Sequence, residues 1–333
     1  MSKDLDLFGP NKYGRDMAME KACLFTAWSL FSWQTNFDYH FFRRPYFSQP
    51  PQVPLPNPQL DPTWYGEISM QYPHVKALVP LHTGPKMYAE AALREIMNDI
   101  GLRVFGNPSP QPLTFDEFAA LKEKLDRWRA ILPEPLQPKL VVFPFHLMLH
   151  VVYWQVVKDF IKLIVNADHL CHSQCVALCL GKPPETALYE ARVKLETVVC
   201  LYYARHSFDS YDPWLAYALT IIGNTMATEL KTASSSNQQI FTGYRSMLVL
   251  SAQGLAKQSS SYHNGTLLAV QLQGAMDATN LQLVRTYTTH ASISEPDRKM
   301  IAEHSISNWP LPAMVAINED PEEARLSVMV EAL

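Results

Sequence analysis

Apolar residues recur at three- and four-residue spacing along most of this chain, and that period predicts helices rather than strands. Near the N-terminus Leu24, Phe25, Trp28 and Phe31 share one face, and eight aromatics fall between Phe25 and Phe42. The aromatic helix stops at Arg43-Arg44-Pro45. Pro45, Pro50, Pro51, Pro54, Pro56, Pro58 and Pro62 follow it. Each proline fixes φ and removes a backbone donor, so neither a helix nor a central strand fits there. The pattern predicts an extended, proline-rich strap over residues 45–63.

Helical spacing returns at Pro85, where Tyr88, Ala92, Ile96 and Ile100 stand four apart, and runs to about Gly101. A proline-rich loop is expected over 107–112. Thr114 and Glu117 form a capping box that opens an amphipathic stripe of Phe115, Phe118, Leu121, Leu125, Trp128 and Leu132, closed by Pro133 and Pro135. Residues 145–165 are apolar on most sides, as suits a helix at the centre of a bundle. Further helices are predicted over 166–180, then, past a hinge at Gly181-Lys182-Pro183-Pro184, over 185–206 with Leu195, Val198, Val199 and Tyr202 inward. Asp212 caps a helix that starts with Pro213 and ends near Lys231, ahead of a loop at 234–237. Two or three more helices occupy 240–257 and 267–289. No alternation is long enough to predict a sheet. The fold class expected is all-α: a multi-helix bundle of about ten helices with a proline-rich extended strap. The expected organisation is a tail at 1–20, a helical domain at 21–291 and a polar extension at 292–333. Asp320-Pro321-Glu322-Glu323 marks a last short helix in that extension.

Composition narrows the function classes. A net charge of −4 over 333 residues argues against binding nucleic acid by bulk electrostatics. Only 12 glycines fit helices joined by proline-marked loops better than a β-sandwich. The first six residues are polar and charged, unlike a secretory leader. The most apolar run, 140–165, is interrupted by His146, His150, Gln155, Lys158, Asp159 and Lys162, so no membrane span is expected. Five cysteines, an odd number, suggest free thiols in a reducing compartment.

The stretch TAWSLFSWQTNFDYHFFRRPYF, an aromatic helix running into an Arg-Pro element and a proline ladder, resembles the middle homology region of fungal zinc-cluster transcription factors. Arg43 stands where that family usually has the Gly of Gly-Arg-Pro. Pro56-Asn57-Pro58 with Asp61-Pro62-Thr63-Trp64-Tyr65-Gly66-Glu67-Ile68 is similar to the nitrate-assimilation activator group of the family. So are Leu201-Tyr202-Tyr203-Ala204-Arg205-His206-Ser207-Phe208, Ser307-Asn308-Trp309-Pro310 and Glu319-Asp320-Pro321-Glu322. The likeness covers residues 20–333. It implies a regulatory domain in the nucleus that controls transcription by RNA polymerase II. Such a region holds an inhibitory conformation or answers a small-molecule effector or a co-regulator protein. The family's DNA-binding cluster needs a Cys-x2-Cys-x6-Cys pattern repeated, and this sequence does not contain it. The resemblance therefore puts DNA contact and zinc in an N-terminal segment missing from this chain, with no cofactor in the chain itself. The expectation is a fragment, a truncated product or a paralogue. The alternatives are a helical interaction protein that titrates a partner without touching DNA, and a helical enzyme of a biosynthetic cluster. The sequence holds no Gly-rich phosphate loop, Gly-x-Ser-x-Gly elbow or convergent catalytic set, so no enzyme is expected.

Four residues stand out as effector-binding candidates. Arg43 and Arg44 are a basic pair beside aromatics; guanidinium forks suit carboxylate and phosphate, although such a pair also closes a helix C-terminus. Trp28 and Tyr153 lie on the two most apolar helices, where bundle proteins place ligand pockets. His146 and His150, four apart, have metal-ligand spacing. Leu147 stands where a zinc protease has Glu, and no carboxylate ligand is near, so two buried histidines bonded to neighbours are expected and no metal. Cys171, Cys175 and Cys179, with His169 and His172 close by, read as a small-residue packing face, with redox sensing as the alternative. Lys122, Lys124, Arg127 and Arg129 around Glu123 and Asp126 read as a solvated face. The resembled family covers Phe25, Trp28 and Phe31 with earlier helices. Without them an open apolar patch is expected, with self-association, such as a homodimer, or a bound partner. Packing of 240–289 over that face is the other outcome.

Overall fold

The structure, a computed structural model, describes residues 7–10, 16–72, 76–105, 113–165, 173–232, 238–261 and 263–288. The expected loops at 107–112 and 234–237, the start of the helix expected at 166–180, and the extension at 292–333 lie outside the described residues. So do His169, Cys171 and His172.

Asp16 opens the first helix by accepting from the backbone N–H groups of Ala18 and Met19. Side-chain capping of orphan donors makes Met17 the start of α1, which runs Met17–His40, earlier than the apolar spacing alone suggests. The chain then turns through Phe42, at φ 49°, into the strap. A 3₁₀ turn at Pro62–Tyr65 and two paired three-residue strands, β1 Ser69–Gln71 and β2 Leu78–Pro80, lead to α2, Thr83–Val104. The strands are too short to register as alternation. The remaining helices are α3 Phe115–Ala130, α4 Pro144–Val165, α5 Ser173–Leu180, α6 Pro184–His206, α7 Pro213–Thr232, α8 Gln238–Ser259, α9 His263–Gly274 and α10 Ala278–Tyr287. The fold is all-α.

The chain divides into two units, Met1–Arg192 and Val193–Leu333, so the boundary falls inside α6. In the first unit the main core joins α2, α3 and α4. Leu93, Met97 and Ile100 meet Phe118, Leu125 and Trp128 of α3 and Val152, Val156 and Phe160 of α4. Thr114 and Glu117 form the expected capping box on α3. In the second unit Leu215, Leu219 and Met226 of α7, Leu248 and Leu255 of α8, and Leu267 and Leu272 of α9 are fully buried. Asp212 caps α7 by accepting from Trp214 and Leu215 N–H groups. Gly254 lies where an added Cβ would sit 2.6 Å from Leu219, so α7 and α8 approach more closely there than any larger residue allows.

The expectation of an uncovered aromatic stripe on α1 is overturned. Trp28 and Phe31 are buried, and the cover is the strap together with α2. Trp28 Nε1 donates to the Val53 carbonyl at 2.9 Å, Leu55 is buried, and Phe47 packs beside Phe31. Trp64 stacks on Phe25 at 4.6 Å, and Tyr65 donates to the Pro56 carbonyl. Pro45 sits 2.9 Å from where a Cβ on Gly101 would lie, so the strap's start is pressed onto α2. The prolines hold the strap extended at little entropic cost, and its own aromatic and aliphatic side chains cover this face of α1.

Candidate functional site

The four effector candidates do not come together. Trp28 anchors the strap. Arg43 and Arg44 are exposed; Arg43 lies over the Phe37 and Phe41 rings at 5.4 and 5.8 Å and donates its backbone N–H to the Asp38 carbonyl. Arg43 thereby helps to close the end of α1. Tyr153 is buried between α4 and α3, stacked on Trp128 at 5.0 Å with its hydroxyl 3.4 Å from the Leu125 carbonyl. The two histidines are held separately: His146 Nε2 lies 2.9 Å from the Leu81 carbonyl, and His150 Nε2 lies 2.7 Å from the Leu136 carbonyl. Among the described residues no group of three His, Cys, Asp or Glu side chains is placed to hold a metal ion. Cys179 packs on the main core, and Cys175 is a free, half-buried thiol. On α3, Lys122 pairs with Asp126, Arg127 with Glu123 and Lys124 with Asp99, and Arg129 lies over Trp154: a solvated face. Among the described residues no helix is long and apolar enough to cross a membrane.

A different set converges. Three helices of the first unit carry buried polar side chains where they meet: Asn36 and His40 on α1 at 2% and 1% exposure, Arg94 and Asn98 on α2 at 5% and 2%, and Gln155 on α4 at 0%. Helix register brings them to one level. Trp28 and Phe31 pack with Met87 and Ala91, while Tyr39 and Phe42 reach Phe105 further on, so α1 and α2 run in the same direction. Seven residues, roughly 10 Å of helix, separate Trp28 from Thr35 and Met87 from Arg94, which sets Thr35 and Asn36 beside Arg94. α4 packs on α2, and the charges of both Arg94 and Lys158 act on His40, so α4 closes the third side. Gln155 is three residues before Lys158, on the same side of α4.

Charge in this seam is unevenly matched. Lys86 and Arg94 share Glu90, with Arg94 Nη2 3.2 Å from its carboxylate. Lys158 pairs with Asp159 at 3.0 Å, and Asp159 also acts on Lys162. Burial lowers the Arg94 guanidinium from its ordinary value, with Glu90 opposing. Burial also lowers Lys162, aided by Lys158. His40 is pushed down to about 3, by burial first and then by Arg94 and Lys158, and is therefore a neutral imidazole at ordinary pH. His146 is pushed down to about 4 by burial, against the Leu81 carbonyl.

Polar groups withdrawn from water are almost always hydrogen-bonded, because an unpaired one costs on the order of 1–3 kcal/mol. Yet Thr35 Oγ1, Asn36 Oδ1, Arg94 Nε, Asn98 Oδ1 and both amide atoms of Gln155 have no partner. Buried donors and acceptors thus lie at one level of α1 and α2 with charged groups beside them, and Gln155 stands on the Lys158 side of α4. Such a set suits holding a polar molecule; it contains no nucleophile paired with a base.

Comparison with protein families, curated proteins and solved structures finds no match to this chain.

Sequence reasoning passed over Asn36, Arg94, Asn98 and Gln155. The signal was present: Arg94 and Asn98 interrupt the apolar set Leu93, Ile96, Met97 and Ile100, and Gln155 and Lys158 break the most apolar helix. Gln155 and Lys158 count in the sequence only against a membrane span, and spacing alone does not say what Arg94 and Asn98 face.

Proposed function

We propose that this chain is an effector-responsive regulatory domain of a fungal zinc-cluster transcription factor. In this reading it acts in the nucleus on transcription by RNA polymerase II, and DNA contact is made by a segment outside this chain. The observation that carries the regulatory part is the buried polar seam between α1, α2 and α4. It offers a ligand six unpartnered polar atoms and no catalytic constellation. The transcriptional setting rests on the resemblance of the aromatic helix, the Arg43-Arg44-Pro45 element and the strap. No enzymatic step belongs to this reading.

The test is a fusion of the whole chain to an unrelated DNA-binding domain, read on a reporter gene carrying that domain's site. The fused chain is expected to change transcription by about fivefold or more relative to the DNA-binding domain alone, the lower end of ordinary regulatory coupling. Equal reporter output with and without the chain would remove the transcriptional reading.

A further inference from the structure

We propose that the seam between α1, α2 and α4 binds a small dianion that also carries an O–H or N–H donor. A hydroxylated dicarboxylate and hydrogen phosphate are the two sources of that chemistry. The inference rests on reading the seam as an effector site, but its test does not involve transcription.

Charge selects an anion. Lys86 and Arg94 share Glu90, and Lys158 and Lys162 share Asp159, so the charged groups around the seam carry two more positive charges than negative. Arg94 is almost fully buried, whereas Lys86 and Lys158 keep partial contact with water, so the excess favours an anion at the seam and a dianion matches it. The neutral His40 ring adds no charge to that balance. A metal ion would add to the excess.

The unpartnered atoms select the donor. Arg94 Nε and Gln155 Nε2 are donors that a carboxylate or phosphate oxygen satisfies. Thr35 Oγ1, Asn36 Oδ1, Asn98 Oδ1 and Gln155 Oε1 can accept, and a bare dicarboxylate offers them nothing. A ligand with both oxyanion and hydroxyl groups answers both sets. An apolar ligand would leave every one of these atoms desolvated. Buried water is the competing occupant, since a water needs two to four polar partners and the seam supplies them. Water, however, leaves the charge excess in place.

The experiment uses the purified full chain, titrated calorimetrically and melted with sodium L-tartrate, sodium succinate or sodium phosphate, and with sodium chloride at matched ionic strength. L-tartrate and succinate are both dianions; only tartrate has hydroxyls. Tartrate or phosphate is expected to raise the melting temperature above the chloride control, as any ligand that binds only the folded state must. If tartrate is the source, it should bind at least about tenfold more tightly than succinate, the equivalent of one good hydrogen bond. Phosphate binding without tartrate binding assigns the phosphate source. Gln155→Leu should fold normally and weaken binding at least about tenfold, and Arg94→Met should weaken it further. Three results would overturn the proposal: no response to tartrate or phosphate at about 10 mM beyond chloride, succinate binding as well as tartrate with no phosphate binding, or binding that survives Gln155→Leu unchanged. Binding without any reporter effect would remove the transcriptional reading and leave the site standing.

Discussion

Gln155 and Gln258 are both fully buried glutamines on long helices, and they are opposites. In the second unit Gln258 Nε2 donates to the Phe208 and Ser210 carbonyls at 2.8 and 2.9 Å, and its Oε1 accepts from the Asp212 N–H at 2.9 Å. One side chain thereby fastens the connection between α6 and α7 onto α8. Asn224 of α7 and Gln271 of α9 likewise donate to one another, at 3.1 and 3.0 Å. In the first unit Gln155 makes no such bond, nor do the side-chain oxygens of Asn36 and Asn98. Ser251, whose hydroxyl has no partner, is an exception in the second unit, but it is a small hydroxyl rather than an amide. Burying an amide is stabilising only when its partners are built in. The second unit uses amides as internal fasteners. The first unit keeps them buried and unfastened beside excess positive charge, which is what separates a binding interior from a structural one.

The sharpest way to break this contrast starts with a fastener in the first unit itself. Trp28 is buried with its indole N–H on the Val53 carbonyl, so Trp28→Ala should cost about 3–5 kcal/mol in urea unfolding. Trp28→Glu should unfold the unit rather than improve solubility. A soluble, fully stable Trp28→Glu variant would restore the idea that this face lies open to a partner. Gln258→Leu comes next: it strands two carbonyls and one N–H, and about 3 kcal/mol of destabilisation is expected. Gln155→Leu, the same change at the same burial, should be neutral or stabilising by up to about 1 kcal/mol in ligand-free protein. Equal losses at the two positions would mean that Gln155 has partners of its own. A double-mutant cycle on Asn224→Leu and Gln271→Leu should give a coupling of about 1–3 kcal/mol, with the double variant close to wild type.

Much of this architecture was readable in advance because it depends on neighbours in sequence. Thr114 and Glu117 meet within one turn, and the Phe118, Leu121, Leu125 and Trp128 stripe follows from helical period alone. The strap's extended form was equally local, since each proline imposes it. Its role as a lid over Trp28 was not, because that depends on a contact spanning 25 residues. The seam was hardest to see. Arg94, Asn98 and Gln155 are plain polar interruptions until α1, α2 and α4 are placed side by side, and hydrophobic period says which face is inward but not which helix it meets. The local features that single out Trp28, Arg43, Arg44 and Tyr153, a basic pair and the two most apolar helices, carry no information about that packing.

The smallest expected effect is a pH dependence that originates in the first unit. His40 and His146 are held near 3 and 4 by burial, while in the unfolded chain they titrate near the ordinary 6.5. Below pH 6.5 the unfolded chain therefore takes up protons that the folded chain refuses, and stability falls as pH drops from about 6.5 toward the folded values; above pH 7 the contribution is constant. Each histidine should remove roughly 0.7 kcal/mol between pH 7 and pH 6. His40→Gln should flatten the curve of unfolding free energy against pH by one histidine's share over that interval, whatever it does to absolute stability. If the slope is unchanged in His40→Gln, the imidazole is solvated and the interior at the α1 end of the seam is wetter than its burial indicates. In that case water already satisfies the groups assigned to the dianion, and the difference between Gln155 and Gln258 becomes one of solvent rather than of function.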